Sequence, residues 1–227
     1  MVQYNLTPKK SIILGGILLV IFLIFFPSLI YFAFGIKKPE HTVNLIFFSE
    51  LYNWLFLGLI YLYSVKIEKQ KFLLWTEVNY PQSFYLKAVI KIFLICFAGS
   101  IVIAFLLKLS GLYTVNAKAI ELAKLIHQNK LLVFLVPLTA GFTEEILIRG
   151  YLLTRLELFF ENTNLAIFIS ALLFGIAHLN YGTVSQFIFP IFLGIVYAFH
   201  YKKYKSIKVL IASHFLWDLM FLYFKRG

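Results

Sequence analysis

Acidic residues and cysteine are both scarce in this chain. Ten Asp and Glu stand against 21 Lys and Arg, a formal net charge of +11 in 227 residues. Only 14% of the residues are charged, against about 25% in a typical soluble chain. That shortage excludes an ordinary soluble domain, which needs more polar surface. The single cysteine, Cys96, sits inside an apolar run. One cysteine excludes an intramolecular disulfide and any CxxC motif, and leaves a small buried hydrophobe. HExxH is absent, so no two metal ligands come from one helical turn. No A-x-A-like cleavage site follows the first apolar stretch, 11–35. That stretch is too long for a signal-peptide core and reads as a retained helix, kinked near Pro27. No repeat, low-complexity tract or soluble domain follows.

What the chain has instead is apolar length. Hydrophobic residues make up 61% and aromatics 19%, with several runs of 18 or more. Such runs mark a polytopic membrane protein. The expected fold is an all-α transmembrane helix bundle enclosing a polar cavity. Seven spans are expected, at 11–35, 43–65, 88–110, 131–158, 164–180, 184–201 and 206–224, with room for an eighth. The chain reads as one membrane domain, 1–227. Residues 1–130 supply N-terminal spans and interfacial segments, and 131–224 the polar motifs. Lysines punctuate the ends of the apolar runs, as anchors to anionic lipid do, and do not form a face for nucleic acid.

Two connections mix charge with apolar residues. Residues 66–87 carry Phe72, Leu73, Leu74 and Trp75 and read as a segment lying on the membrane. Residues 111–130 place Ala117, Ile120, Leu122 and Leu125 among lysines and read as a short amphipathic helix. Counting Lys and Arg with the N-terminus inside gives a weak excess for the inner side, to which Arg155 and "HYKKYKSIK" (200–208) contribute. Lys37, Lys38, Lys225 and Arg226 fall outside. The expected location is the cell membrane, multi-pass, with a cytoplasmic N-terminus.

An ionisable residue within a span costs roughly 2.5–3.5 kcal/mol on insertion scales and is a functional hypothesis by default. "TAGFTEEILIRG" (139–150) carries three such residues: Glu144, Glu145 and Arg149. Glu145 and Arg149 are four apart, on one helix face and in pairing range. Glu144 points about 100° away and has no partner on its own helix. The spacing assigns a structural role to Glu145 and leaves Glu144 as a general base. Pro137 and Gly141, just upstream, suggest a kink and space for water. Downstream, "FGIAH" pairs Phe174 with His178, and "HFLWD" pairs His214 with Asp218, each at i and i+4. Alone, each could be a satisfied or neutralised structural group. Together, three polar motifs on three helices of so apolar a chain point to one site.

This set resembles the signature of the CAAX-protease and bacteriocin-processing family of intramembrane proteases: EExxxR, FxxxH and HxxxN or HxxxD, in that order. The resemblance covers about 139–218. It implies peptide-bond hydrolysis in or beside the membrane, on a peptide or lipidated-protein substrate. Carried over by position, Glu144 and His178 would activate the water, while His214 and Asp218 would stabilise the oxyanion. Glu145, Arg149 and Phe174 would support them. Family members often have Asn where this chain has Asp218. An ionised Asp cannot donate to an oxyanion, so Asp218 is expected to orient or charge His214. A metal-free glutamate mechanism is favoured; the alternative is Zn²⁺ held by Glu144, His178 and His214.

One tension and two rival functions accompany this reading. His178 is expected near a helix end while Glu144 and His214 lie mid-membrane, a mismatch on the order of 10 Å at ~1.5 Å per residue. Tilted spans, or a dip of 180–190 into the cavity, would close it. The rivals are a proton-coupled transporter, for which buried Glu and His are also typical, and a non-catalytic immunity or scaffold protein. Oligomeric state is not legible.

Overall fold

In lipid, backbone groups must find their hydrogen bonds within the chain, and long apolar segments do so as helices. The computed structural model describes residues 8–35, 41–179 and 182–224, and all its regular elements there are helical. In chain order these are α1 (Lys10–Ala33), α2 (Val43–Leu62), a π-helical extension Tyr63–Glu68, α3 (Gln82–Leu109), α4 (Ala117–His127) and α5 (Lys130–Glu144). A second π segment, Glu145–Leu152, leads into α6 (Leu153–Phe160), followed by α7 (Thr163–Ala177), α8 (Ser185–Tyr204) and α9 (Ile207–Phe224).

Five stretches are helices long and apolar enough to cross a membrane: Lys10–Ala33, Val43–Glu68, Gln82–Leu109, Lys130–Phe160 and Ile207–Phe224. They account for five of the seven expected spans. The other two are shorter or more polar. α7 has 15 residues, about 22 Å at 1.5 Å per residue, against a hydrocarbon core of about 30 Å. α8 carries Ser185 and Gln186 at one end and His200, Lys202 and Lys203 at the other. α7 and α8 pack chiefly on each other, and α5 packs on α9.

Sequence at the helix starts explains where they begin. Thr42, Asn116, Asn129 and Asn162 each accept a backbone N–H of the first turn through the side chain, the ordinary N-cap device. The expected amphipathic helix is α4, but its buried stripe is Ala119, Ala123 and Ile126. Ile120, Leu122 and Leu125 flank that stripe, and Ala117 is exposed.

The connection after α2 is a strap rather than a surface float. Phe72, Leu73 and Trp75 pack against the protein core. Glu77 accepts the Ile207 N–H at 2.8 Å and the Ser206 hydroxyl at 2.9 Å, capping α9. Trp75 Nε1 donates to Glu157 at 2.9 Å, and Lys205 Nζ lies 3.2 Å over the Trp75 ring. Burial there holds the Lys205 ammonium below its ordinary pKa.

Arg155 corrects the charge balance read from sequence. It is not a juxtamembrane anchor but a fully buried group, 1% exposed. Its Nη2 pairs with Glu68 Oε2 at 2.7 Å, and its remaining donors reach Ser64 and the carbonyls of Lys71 and Phe72. The acid it needs lies 87 residues earlier, so no local pattern reveals it. Lys37, Lys38, Lys225 and Arg226 lie outside the described residues.

Candidate active site

The helix beginning at Lys130 changes pitch at its charges. α5 runs to Glu144, and the next eight residues are wound as a π segment. Such bulges are rare and occur frequently at functional sites. Here the wider turn buries seven of the eight residues. Glu145 and Arg149 form the expected ion pair, Oε1 to Nη1 at 2.8 Å, with side chains 0% and 1% exposed. The Glu144 side chain is 32% exposed. Of the two adjacent carboxylates, only Glu144 can be reached from outside the packing.

His214 stands between them. Its Nδ1 is 2.7 Å from Glu145 Oε1, so the ring N–H donates to that carboxylate. Nε2 then faces Glu144 Oε2 at 3.9 Å and Asp218 Oδ2 at 3.6 Å. The hydrogen-bond partner of the His214 ring is therefore Glu145, with Asp218 farther off at 3.6 Å. Asp218, 31% exposed, faces the same nitrogen of His214 as Glu144 does. The Glu145–His214 contact joins α9 to the π segment across 69 residues. Helical spacing cannot show it.

His178 caps the end of α7. Its Nδ1 lies 2.8 Å from the Phe174 carbonyl. A carbonyl only accepts, so Nδ1 carries the proton and the neutral ring keeps its lone pair on Nε2. Glu144 and His178 both act electrostatically on Asp218 and His214. His214 of α9 stands against the two glutamates, and the ring of Phe174 on α7 lies between His178 and His214. The connection from α7 to α8 is short, and Asn180 and Tyr181 of the expected dipping stretch lie outside the described residues.

Phe174 binds the cluster together. Its ring meets His178 at 4.8 Å and His214 at 6.3 Å, both edge-on. The Arg149 guanidinium lies 4.5 Å over the same ring, and 5.5 Å over Tyr197. Tyr197 also lies 6.1 Å from His214. Sequence reading missed Tyr197, which sits in an apolar helix with nothing to mark it. Gly141 has a different use from the one expected. A Cβ there would meet Phe215 N at 3.0 Å and Ile211 O at 3.1 Å. The glycine lets the α9 backbone approach α5, and so brings His214 to the two glutamates. Gly194 similarly keeps α8 close to Ala171 of α7 and to Arg149.

Sequence reading also missed Glu50, the one acid within the span 43–65. It is 8% exposed and acts electrostatically on the same cluster through Glu144 and Asp218. The rule that flagged Glu144, an ionisable group inside an apolar span, applies to it equally.

The zinc alternative needs Glu144, His178 and His214 to converge on one point. Among the described residues no three His, Cys, Asp or Glu are grouped so as to hold a metal ion. His214 Nδ1 is committed to Glu145 and His178 Nδ1 to a carbonyl.

No curated protein and no solved structure matches the chain. One family model does, over residues 127–220, the stretch holding Glu144–Glu145–Arg149, Phe174–His178 and His214–Asp218. Over that region the chain is similar to the type II CAAX prenyl endopeptidase Rce1-like family.

Proposed function

We propose that the protein is an intramembrane endopeptidase that hydrolyses a peptide bond of a membrane-associated substrate, with a prenylated CAAX-type peptide the first to try. The observation that carries this reading is the placement of His214 between two carboxylates of unlike exposure. Glu145, wholly buried, holds Nδ1; Glu144, with its side chain 32% exposed, stands on the Nε2 side.

The division suits a water-attack mechanism. Glu144, with His178 Nε2, takes a proton from water as its oxygen adds to the scissile carbonyl. Negative charge grows on the carbonyl oxygen. His214, held by Glu145 and charged, offers Nε2–H to that oxyanion. Asp218 keeps His214 charged rather than donating itself. Glu144 then returns the proton to the leaving nitrogen and the C–N bond breaks. Arg149, stacked on Phe174 and Tyr197, fixes Glu145 so that Glu145 can fix His214.

Full-length wild type and Glu144→Gln, reconstituted in lipid, are incubated with a fluorogenic farnesylated CAAX peptide. General-base loss should lower turnover on the order of 10²–10⁴-fold, with an unchanged melting temperature. Full turnover by the variant would overturn the reading.

A further inference from the structure

Peptide hydrolysis makes an amine where an amide had been. At neutral pH that amine is an ammonium, and a cation in a low-dielectric cavity needs a counter-ion. The three acids used above are each set within 4 Å of a side-chain nitrogen: Glu145 of Arg149 and His214, and Glu144 and Asp218 of the other nitrogen of His214, at 3.9 and 3.6 Å. Glu50 is not.

Glu50 lies on the buried stripe of α2, one turn after Ile46, while Phe48, Leu51 and Leu55 face outward. One turn further along α2, Trp54 donates Nε1–H at 3.2 Å to the hydroxyl of Thr139, five residues before Glu144 on α5, and its ring stacks on Phe142 at 5.1 Å. These contacts hold the stretch of α2 that carries Glu50 against the helix bearing Glu144. Glu50 Oε2 is buried and has no hydrogen-bond partner among the described residues. No described cation pairs with it. The charges acting on it, Glu144 and Asp218, are both negative. A buried acid so placed lacks only a positive donor.

We propose that Glu50 is an ammonium subsite that receives the amine of the departing peptide fragment. The inference rests on the protease reading for the origin of that amine. Water adds to the carbonyl carbon and the C–N bond breaks. One water proton reaches nitrogen through Glu144, and the proton of the newly formed acid follows it. The products are a carboxylate and an ammonium, and Glu50 makes and breaks no covalent bond.

The test measures binding, not turnover. The full chain in lipid nanodiscs is titrated with the tripeptide Ala-Leu-Leu bearing a free α-amine, and with its N-acetyl form. Charge-assisted hydrogen bonds are worth about 1.5–3 kcal/mol, so wild type should prefer the free amine by roughly 10- to 150-fold. Glu50→Gln should reduce the preference below about 3-fold, leaving affinity for the acetyl form unchanged. Glu50→Asp and Thr139→Val should lower it partially. Melting temperatures identify the variants that stay folded, and any one of the three suffices. An undiminished preference in folded Glu50→Gln, or none in wild type, overturns the subsite. A wild type that shows the preference yet cleaves nothing overturns the protease reading and leaves the subsite standing.

Discussion

Two buried arginines stand six residues apart on one continuous helical stretch, and they live differently. Arg155 is saturated. Its Nε and Nη2 bond Glu68, and Nη1 and Nη2 bond Ser64 and the Lys71 and Phe72 carbonyls. Its guanidinium also covers the Tyr151 ring, whose hydroxyl bonds the same Glu68 at 2.7 Å. Arg149 gives one nitrogen to Glu145 and lays its face on Phe174. Its Nε and Nη2, Glu145 Oε2 and Glu144 Oε2 have no hydrogen-bond partner among the described residues. A closed polar network staples helices together and has nothing left to offer. An open one holds groups in place and keeps donors and acceptors for something else. By that difference the Arg155 cluster acts as a structural fastening, and the Arg149 cluster keeps the unpaired donors and acceptors that the proposed site calls for.

Substitution can break the comparison. The largest effect on stability should come from Arg155→Ala. Removing one partner of a buried pair typically costs about 3–5 kcal/mol, and here two carbonyls and a serine lose their donor as well. The variant should melt far below wild type in detergent, with activity falling only as the folded fraction falls. Glu145→Gln should do both kinds of damage. It unpairs Arg149 and releases His214, so turnover should drop by more than about 10²-fold alongside a measurable loss of thermal stability. A variant that loses only stability would mean that the orientation of His214 is unimportant. Gly141→Ala tests the approach of α9. A methyl group pressed on the Phe215 and Ile211 backbone should shift His214 and lower turnover about tenfold or more, with a modest stability loss of about 1–3 kcal/mol.

Much of this was legible beforehand. The i, i+4 rule found the Glu145–Arg149 pair, and membrane cost singled out Glu144. Other features depend on tertiary contact. Glu68 and Arg155 are 87 residues apart, so sequence alone places Arg155 among the anchors at the membrane surface. The Glu145–His214 bond crosses helices, so sequence alone points to Asp218, the neighbour on the same helix, as the partner of His214. The π segment comes from packing and leaves no residue signature. α7 has the apolar composition of a span, but at 15 residues it is shorter than the bilayer core, and composition alone does not show where a helix ends.

The smallest effect should come from the exposed pair of Lys10 and Glu161, 2.6 Å apart. The Lys10 hydrogen bond and charge hold the Glu161 carboxyl below its ordinary pKa. Its contribution is therefore present above the ordinary glutamate value of about 4.3 and is lost as pH falls through the lowered one. Glu161→Gln should change the melting temperature by no more than about 1–2 °C at pH 7. The difference should vanish in acid, as parallel melts at pH 7 and about pH 3 would show.

The most direct test sets the two clusters side by side. Cleavage of a farnesylated CAAX peptide and the melting temperature are measured together for Glu144→Gln and Glu68→Gln in lipid. The account predicts that Glu144→Gln melts like wild type and is inactive. It predicts that Glu68→Gln melts early and retains its activity at temperatures where it is folded. A Glu144→Gln protein that cleaves at the wild-type rate, or a folded Glu68→Gln protein that does not cleave, would contradict it.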